Sequence, residues 1–314
     1  MYSQSITNNN SVSTEVVCDD FQELIMNNIY RFLFFITIFL FQLSKANSAS
    51  TIVNGIVTND YRSVVQIEVG NASCTATHLG HGIFLTAAHC INGKTSADGL
   101  KVSDYANVDF DSYYYQEPVT FQFFDIELIM HPDYLESKSI KDDLALIKIV
   151  NFKKMKISNR YAYKFISRLG FSKISLNDHP VPEEKVRMVG FGCSNSIFVA
   201  DGCTGSNVKR FADHKVREVQ NGEISLEGLV IDEVSGLRKN NPTASSGDSG
   251  GPLFNSKNEI IGVVSKGELD QEGYITQSFY VDLTSGSSFS FLNNNFKLKS
   301  KWQEFLDSLR KKRN

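Results

Sequence analysis

From about residue 52 onward the sequence predicts an all-β fold, either a sandwich or a pair of barrels. Two observations carry this. Short apolar runs rich in Val, Ile, Phe and Tyr recur between clusters of Gly, Asn, Asp and Ser, and no regular alternation of strand and helix patterns or internal repeat interrupts them. Composition is the third observation: the chain has 314 residues, 41% hydrophobic and 21% charged. That is enough apolar side chain for a buried core, and it excludes disordered and low-complexity classes. A net charge of −3 is not the basic excess of a dedicated nucleic-acid binder. Six prolines exclude proline-rich and collagen-like chains.

Residues 1–51 stand apart from this pattern. Residues 32–41 read Phe-Leu-Phe-Phe-Ile-Thr-Ile-Phe-Leu-Phe. Extended to Leu43, the run is still shorter than the roughly 18–20 apolar residues that span a bilayer. Arg31 precedes it and Ala46-Asn47-Ser48 follows with small residues, the order of a secretory signal peptide with its core over about residues 29–48. The polar first 25 residues, with Glu15, Asp19, Asp20 and Glu23, do not suit such a signal. A start at Met26 gives Met26-Asn-Asn-Ile-Tyr-Arg31 directly before the run. A buried core helix is the competing reading, and the lack of any polar face argues against it. The expectation is a signal, a very short propeptide and an exported, soluble remainder without stable membrane insertion.

In chain order, Val64–Val69, Gly82–Thr86, Phe121–Met130, Leu144–Val150, Val186–Phe191 and Ile260–Ser265 read as strands. Lys153–Gly170 is basic and aromatic without clear periodicity and reads as an interdomain connection. In residues 293–314, Leu298, Trp302, Phe305, Leu306 and Leu309 recur at helical spacing, which predicts a docked amphipathic helix with a solvated basic end, Arg310–Arg313. An anchor for an anionic surface is the alternative.

Three segments carry chemistry: Leu85-Thr-Ala-Ala-His89-Cys90, Asp142-Asp143-Leu-Ala-Leu-Ile147 and Ser246-Gly-Asp-Ser249-Gly-Gly-Pro252. Alone, His89 reads as a core histidine and the aspartates as a strand N-terminus. The third segment is different, because no stable strand or helix calls for so many glycines around one serine. Such a turn frees backbone N–H groups to converge beside the hydroxyl, as stabilisation of an oxyanion requires.

In the order His, Asp, Ser the three segments resemble the chymotrypsin-like (trypsin-family) serine proteases. Their separations are 54 residues from His89 to Asp143 and 106 from Asp143 to Ser249. Ile52-Val-Asn-Gly55, His131-Pro-Asp-Tyr134, Gly190-Phe-Gly192 and Ser265-Lys-Gly267 resemble further family segments, and the likeness covers residues 52–292. The resemblance implies two six-stranded antiparallel β-barrels with the site between them and a C-terminal helix. It implies Ser249 as nucleophile, His89 as general base, and Asp143 rather than Asp142 as the residue that orients the imidazole. The N–H groups of Gly247 and Ser249 would form the oxyanion hole, and Ser265 to Gly267 would pair with substrate. Ile52, freed as a new N-terminus, would pair with Asp248. Cys74 and Cys90 match the family's disulfide beside the catalytic histidine. With Cys18 leaving in the signal segment, Cys193 and Cys203 are paired by elimination, a bridge without counterpart in the usual animal enzymes, with free buried cysteines the alternative. Such bridges fit an oxidising compartment. No cofactor is implied, and no His/Cys cluster has zinc spacing.

The chain departs from trypsin at the specificity pocket. Thr243 stands where trypsin holds an aspartate, Ser245 replaces a pocket-bracing cysteine, Lys266 replaces an aromatic residue, and Ser278 falls on a pocket wall. The expectation is a secreted, monomeric serine endopeptidase acting on proteins or peptides, without trypsin's demand for Arg or Lys. The competing reading is an inactive homologue acting as a binding or adhesion module, but its usual mark, a lost triad member, is missing.

Overall fold

Two curled antiparallel sheets dominate the computed structural model, which describes residues 52–104, 118–175, 177–193, 206–231 and 238–296. The expected signal segment, the basic C-terminal stretch and Cys203 lie outside the described residues. Strand β1 (Ile56–Val57) is followed by β2 (Val64–Val69), β3 (Ala72–Gly80), β4 (Ile83–Thr86), β5 (Leu100–Asp104), β6 (Val119–Phe123), β7 (Ile126–Met130) and β8 (Ala145–Ile149). Helix α1 (Arg160–Arg168) leads to β9 (Lys185–Gly190), β10 (Arg210–Gln220), β11 (Glu223–Glu227), β12 (Leu229–Ile231) and β13 (Arg238–Asn240). The rest is β14 (Pro252–Phe254), β15 (Ile260–Leu269), β16 (Ile275–Asp282) and α2 (Gly286–Phe296).

The first sheet has the order β6-β5-β2-β3-β4-β8-β7. It wraps a core of Val65, Ile67, Phe84, Leu100, Leu144 and Leu146, each fully buried. The single strand expected over Phe121–Met130 breaks at Phe124-Asp125, so its halves become the two opposite edges of the sheet. Seven strands form in place of the six expected, and β6 and β7 are joined by chain rather than by a ladder. The second sheet closes, because β9 pairs with both β14 and β10. Its six-stranded ring, β10-β11-β16-β15-β14-β9, carries the short β1 on β10. Val186, Val216, Leu226, Ile261 and Tyr280 fill it.

The Lys153–Gly170 connection, in whose sequence no periodicity stands out, is largely helical. Asn159 caps α1 by accepting the Ala162 N–H at 3.2 Å. Ala162, Ile166 and Leu169 then bury one face against the first sheet, a stripe too narrow to stand out among the surrounding lysines and aromatics. Helix α2 runs from Gly286 to Phe296, so it begins before, and crosses, the expected boundary at residue 293.

His78 on β3 ties the end of this connection to the first sheet. Its Nδ1 bonds the Gly170 carbonyl, its Nε2 accepts the Gly82 N–H at 3.2 Å, and its own carbonyl accepts the Ser172 N–H at 3.0 Å. Burial holds its pKa below the usual 6.5, with His81 adding repulsion against the Gly170 bond. A folded-state value below the unfolded one means that stability is full above 6.5 and is lost as pH falls below it. In urea denaturation at pH 7.5 and 5.5, His78→Gln is expected to flatten the loss between the two, by up to about 1.4 kcal/mol per pH unit. Equal pH slopes for wild type and variant would show that His78 carries no such linkage.

Candidate active site

The elements bring the three chemical segments together where the sheets meet. His89 lies in a 3₁₀ turn, Ala88–Cys90, directly after β4. Asp143 closes a second 3₁₀ turn, Ile140–Asp142, directly before β8. Because β4 pairs with β8, the two turns are neighbours. Asp143 Oδ2 accepts from His89 Nδ1 at 2.7 Å, and Oδ1 accepts the His89 backbone N–H at 2.8 Å. The Ser265 hydroxyl adds a bond to Oδ2 at 2.6 Å. A carboxylate only accepts, so Nδ1 carries the proton and Nε2 presents its lone pair. Asp142 turns away to the Ser137 hydroxyl. Asp143, not Asp142, is therefore the partner of His89, as the sequence suggested.

Ser249 sits in a turn fastened to both sheets. Thr75 on β3 donates its N–H to the Ser249 carbonyl at 2.9 Å and its hydroxyl to the Gly247 carbonyl at 2.8 Å. On the other side the Gly250 N–H bonds the Val264 carbonyl at 2.8 Å. Gly250 has φ +82°, and a Cβ there would lie 2.1 Å from Thr86 Oγ1, 2.4 Å from the Thr75 carbonyl oxygen and 2.9 Å from Ala87 N. Only glycine lets the turn come this close to the strand end that carries His89. The Cys74–Cys90 disulfide is formed, and Cys90 Sγ lies 3.8 Å from the Ser249 carbonyl oxygen. Cys193 is also disulfide-bonded. Within the turn the N–H groups of Asp248, Gly250 and Gly251 are taken by carbonyls, whereas those of Gly247 and Ser249 reach no acceptor among the described residues. No hydrogen bond joins Ser249 Oγ to His89 among the described residues; such contacts commonly tighten only around a bound substrate.

Asp248 is buried. Its carboxylate accepts the Gly192 N–H at 2.8 Å and the Ser245 N–H at 2.9 Å. Burial pushes its pKa up to about 6 against those two bonds and the field of Arg210. Ile52 is buried in the second core, and its neighbour Val53 bonds the Thr243 carbonyl at 3.1 Å. In this uncut chain the Ile52 nitrogen is an amide, and the expected Ile52–Asp248 pairing is not among the bonds formed.

Beside Ser249 opens a cavity of about 350 Å³, lined by Ala244, Ser245, Ser246, Val264, Leu269 and Ile275 together with Ser265 to Gly267. Thr243 and Ser278, both expected on its wall, lie behind it. Thr243 is spent on the bridge to Val53, and Ser278 Oγ accepts the Ala244 N–H at 3.0 Å. A register shift between Val264 and Lys266 on β15 lies along the cavity wall. A second cavity, of about 530 Å³, holds His89, Tyr134, Ile140, Glu223 and Lys266. Burial raises the pKa of Glu223 there against Lys266 and Lys141. Sequence reasoning missed Thr75, Leu269, Ile275 and Glu223, none of which carries a local signal. Asn71 lies exposed at the turn between β2 and β3. Of the clusters with metal-ligand geometry, Cys74 and Cys90 are consumed by their disulfide, and His131, Asp133 and Asp142 bring ligand atoms within 4.8 Å of one another.

Gly250→Ala is expected to lower unfolding free energy by about 3 kcal/mol, because its methyl meets the Thr86 hydroxyl together with backbone atoms of Thr75 and Ala87, which cannot yield. Thermal unfolding at wild-type temperature would show that the close approach is not required.

The Trypsin family model matches residues 52–288. Among solved structures the chain is similar to one described as "Structure of Glu endopeptidase in complex with MPD", with TM-score 0.52 and 17% identity, covering 79% of this chain and 94% of that one. That likeness is one of fold. With the family match spanning most of the chain, and a mostly β architecture of two curled sheets, the protein belongs to the trypsin family of chymotrypsin-like serine proteases.

Proposed function

We propose that the chain is a secreted serine endopeptidase that uses Ser249, His89 and Asp143. The observation that carries this reading is the double hold of Asp143 on the backbone and ring of His89, next to a serine turn jammed against the same strand end. In the proposed reaction the Ser249 hydroxyl gives its proton to His89 Nε2 as Oγ attacks the peptide carbonyl. The N–H groups of Gly247 and Ser249 receive the oxyanion. His89 returns the proton to the departing amine, and Asp143 stabilises the transient imidazolium, with Ser265 bonded to the same carboxylate oxygen. Water then releases the acyl group by the same steps in reverse, while Ser265 to Gly267 pair with the substrate backbone as an added strand.

Secretion is supported by the apolar run at 32–43 and by the disulfide. Activation by a cut before Ile52 is supported by the burial of Ile52 and by the cost of an ionised Asp248 without a cation. Thr51 precedes that bond, so the enzyme that trims it is not trypsin-like. A fluorophosphonate probe is expected to label the purified protein. Ser249→Ala is expected to lose labelling and about 10⁶ in turnover while keeping its melting temperature. The labelled secreted species should begin at Ile52 by N-terminal sequencing. No labelling of wild type would defeat this reading in favour of a binding module.

The cavity beside Ser249 supports an uncharged residue of small to medium size before the scissile bond. It offers Ala244, Val264, Leu269 and Ile275 beside Ser245 and Ser246, with Ser249, Ser265 and Lys266 at its wall. Among the described residues no carboxylate lines it, so a buried Arg or Lys would meet a desolvation cost of several kcal/mol. Cleavage profiling on a peptide library is expected to show this preference, and a profile dominated by Arg and Lys would overturn it.

A further inference from the structure

Directly behind Asp143 lies a second, buried histidine–aspartate pair that the reaction does not use. The side chains of His131 and Asp142 are only 3% and 2% exposed, and His131 Nδ1 stands 3.8 Å from Asp142 Oδ1. The oxygens of Asp142 are unequally served: Oδ2 accepts the Ser137 hydroxyl at 2.7 Å, and Oδ1 has no hydrogen-bond partner among the described residues. His131 is held from three sides. Its N–H bonds the Leu144 carbonyl at 2.8 Å, its Nε2 pairs with Ser287 Oγ at 2.9 Å in the first turn of α2, and its ring lies 5.3 Å from that of Phe291 on the same helix. The Asp133 N–H reaches Nδ1 only at 3.4 Å.

We propose that His131 is a positioning residue of the triad: it compensates the buried carboxylate of Asp142 and thereby fixes to α2 the turn that aims Asp143 at His89. A buried carboxylate with an unserved oxygen is costly, and a neighbouring carboxylate of like sign adds to the cost. The group facing that oxygen is His131 Nδ1. When the Ser287 hydroxyl donates to Nε2, Nδ1 carries the proton, the long Asp133 N–H contact is given up, and Asp142 Oδ1 stands 3.8 Å from that nitrogen. Asp142 cannot shift alone, because the Leu144 N–H bonds its carbonyl at 2.8 Å and the Asp143 N–H closes the same turn on Ile140 at 3.0 Å. Any movement that relieves Asp142 therefore turns Asp143, whose two-point hold on His89 tolerates little displacement.

The inference rests on the catalytic assignment of Ser249, His89 and Asp143. Its test uses the full secreted protein and reads fluorophosphonate labelling rate, kcat and KM on one peptide, and melting temperature. His131→Gln is expected to slow labelling and kcat about tenfold with KM within about twofold of wild type. Adding Asp142→Asn removes the stranded charge and is expected to restore both rates to within about threefold. Ser287→Ala, a deletion of one hydroxyl that leaves the fold in place, is expected to slow labelling about threefold. Wild-type rates in His131→Gln and Ser287→Ala would overturn the proposal. So would a double variant as slow as the single one, which would mean that His131 acts by packing alone. A loss of wild-type activity on chelation, restored by zinc, would also overturn it, since a cation and not His131 would then serve Asp142. Failure of wild type to label would defeat the catalytic reading itself, an outcome distinct from all of these.

Discussion

Everything at this site depends on one close approach between the two sheets, at Gly250. The backbone of the serine turn lies so near Thr75, Thr86 and Ala87 that no side chain fits between them. Thr75 then fixes the turn from the first sheet through the Ser249 and Gly247 carbonyls, and Val264 fixes it from the second. Once the turn is pinned at that contact, its remaining freedom is small. The N–H groups of Asp248, Gly250 and Gly251 hold its shape, and those of Gly247 and Ser249 reach no acceptor among the described residues.

Three buried aspartates surround this contact, and each is handled differently. Asp143 has three donors from side chain and backbone. Asp248 has two backbone donors and the distant field of Arg210, and burial still wins, leaving its pKa near 6. Its carboxylate oxygens also occupy the space where side chains at Gly190 and Gly192 would be, so the Gly-Phe-Gly segment exists to admit it. Asp142 has one hydroxyl and a histidine just beyond hydrogen-bond range. A buried carboxylate is stabilised in proportion to its donors, which ranks Asp143 as the most firmly set of the three.

The chemistry was legible in the sequence because it is written in contiguous segments. His89, Asp143 and Ser249 each sit at a strand end, and their local companions (Ala-Ala before His89, Leu-Ala-Leu after Asp143, glycines around Ser249) reflect close packing at each place. The strand at Val64–Val69 was legible to the residue because Val65, Ile67 and Val69 alternate with Gln66 and Glu68 and a Gly-Asn turn follows. The pocket was not legible. Thr243 and Ser278 were placed by counting from Ser249 and from the last strand, and counting gives a residue's place in the chain but not which side of the backbone lines the cavity. Leu269 and Ile275 reach the pocket from either side of the β15–β16 turn, a closeness visible only after pairing. Strands β10 and β11 were missed because their alternation carries many charges, as in Arg210–Gln220, whose outward face meets water. Helix α1 hid for the opposite reason, its small apolar face being set among aromatics and lysines.

The two sheets also differ in what a single chain break would do to them. The ring of the second sheet is closed by hydrogen bonds at every seam, so cutting any one loop leaves its circuit of ladders whole. The first sheet has no ladder between β6 and β7; its circuit is completed by the covalent step through Phe124 and Asp125, both exposed. A nick at that step would free two already unpaired edges from one another, and exposed edges are the part of a β structure most open to strand addition. The curl of the first sheet therefore rests on one exposed stretch of chain where that of the second rests on ladders.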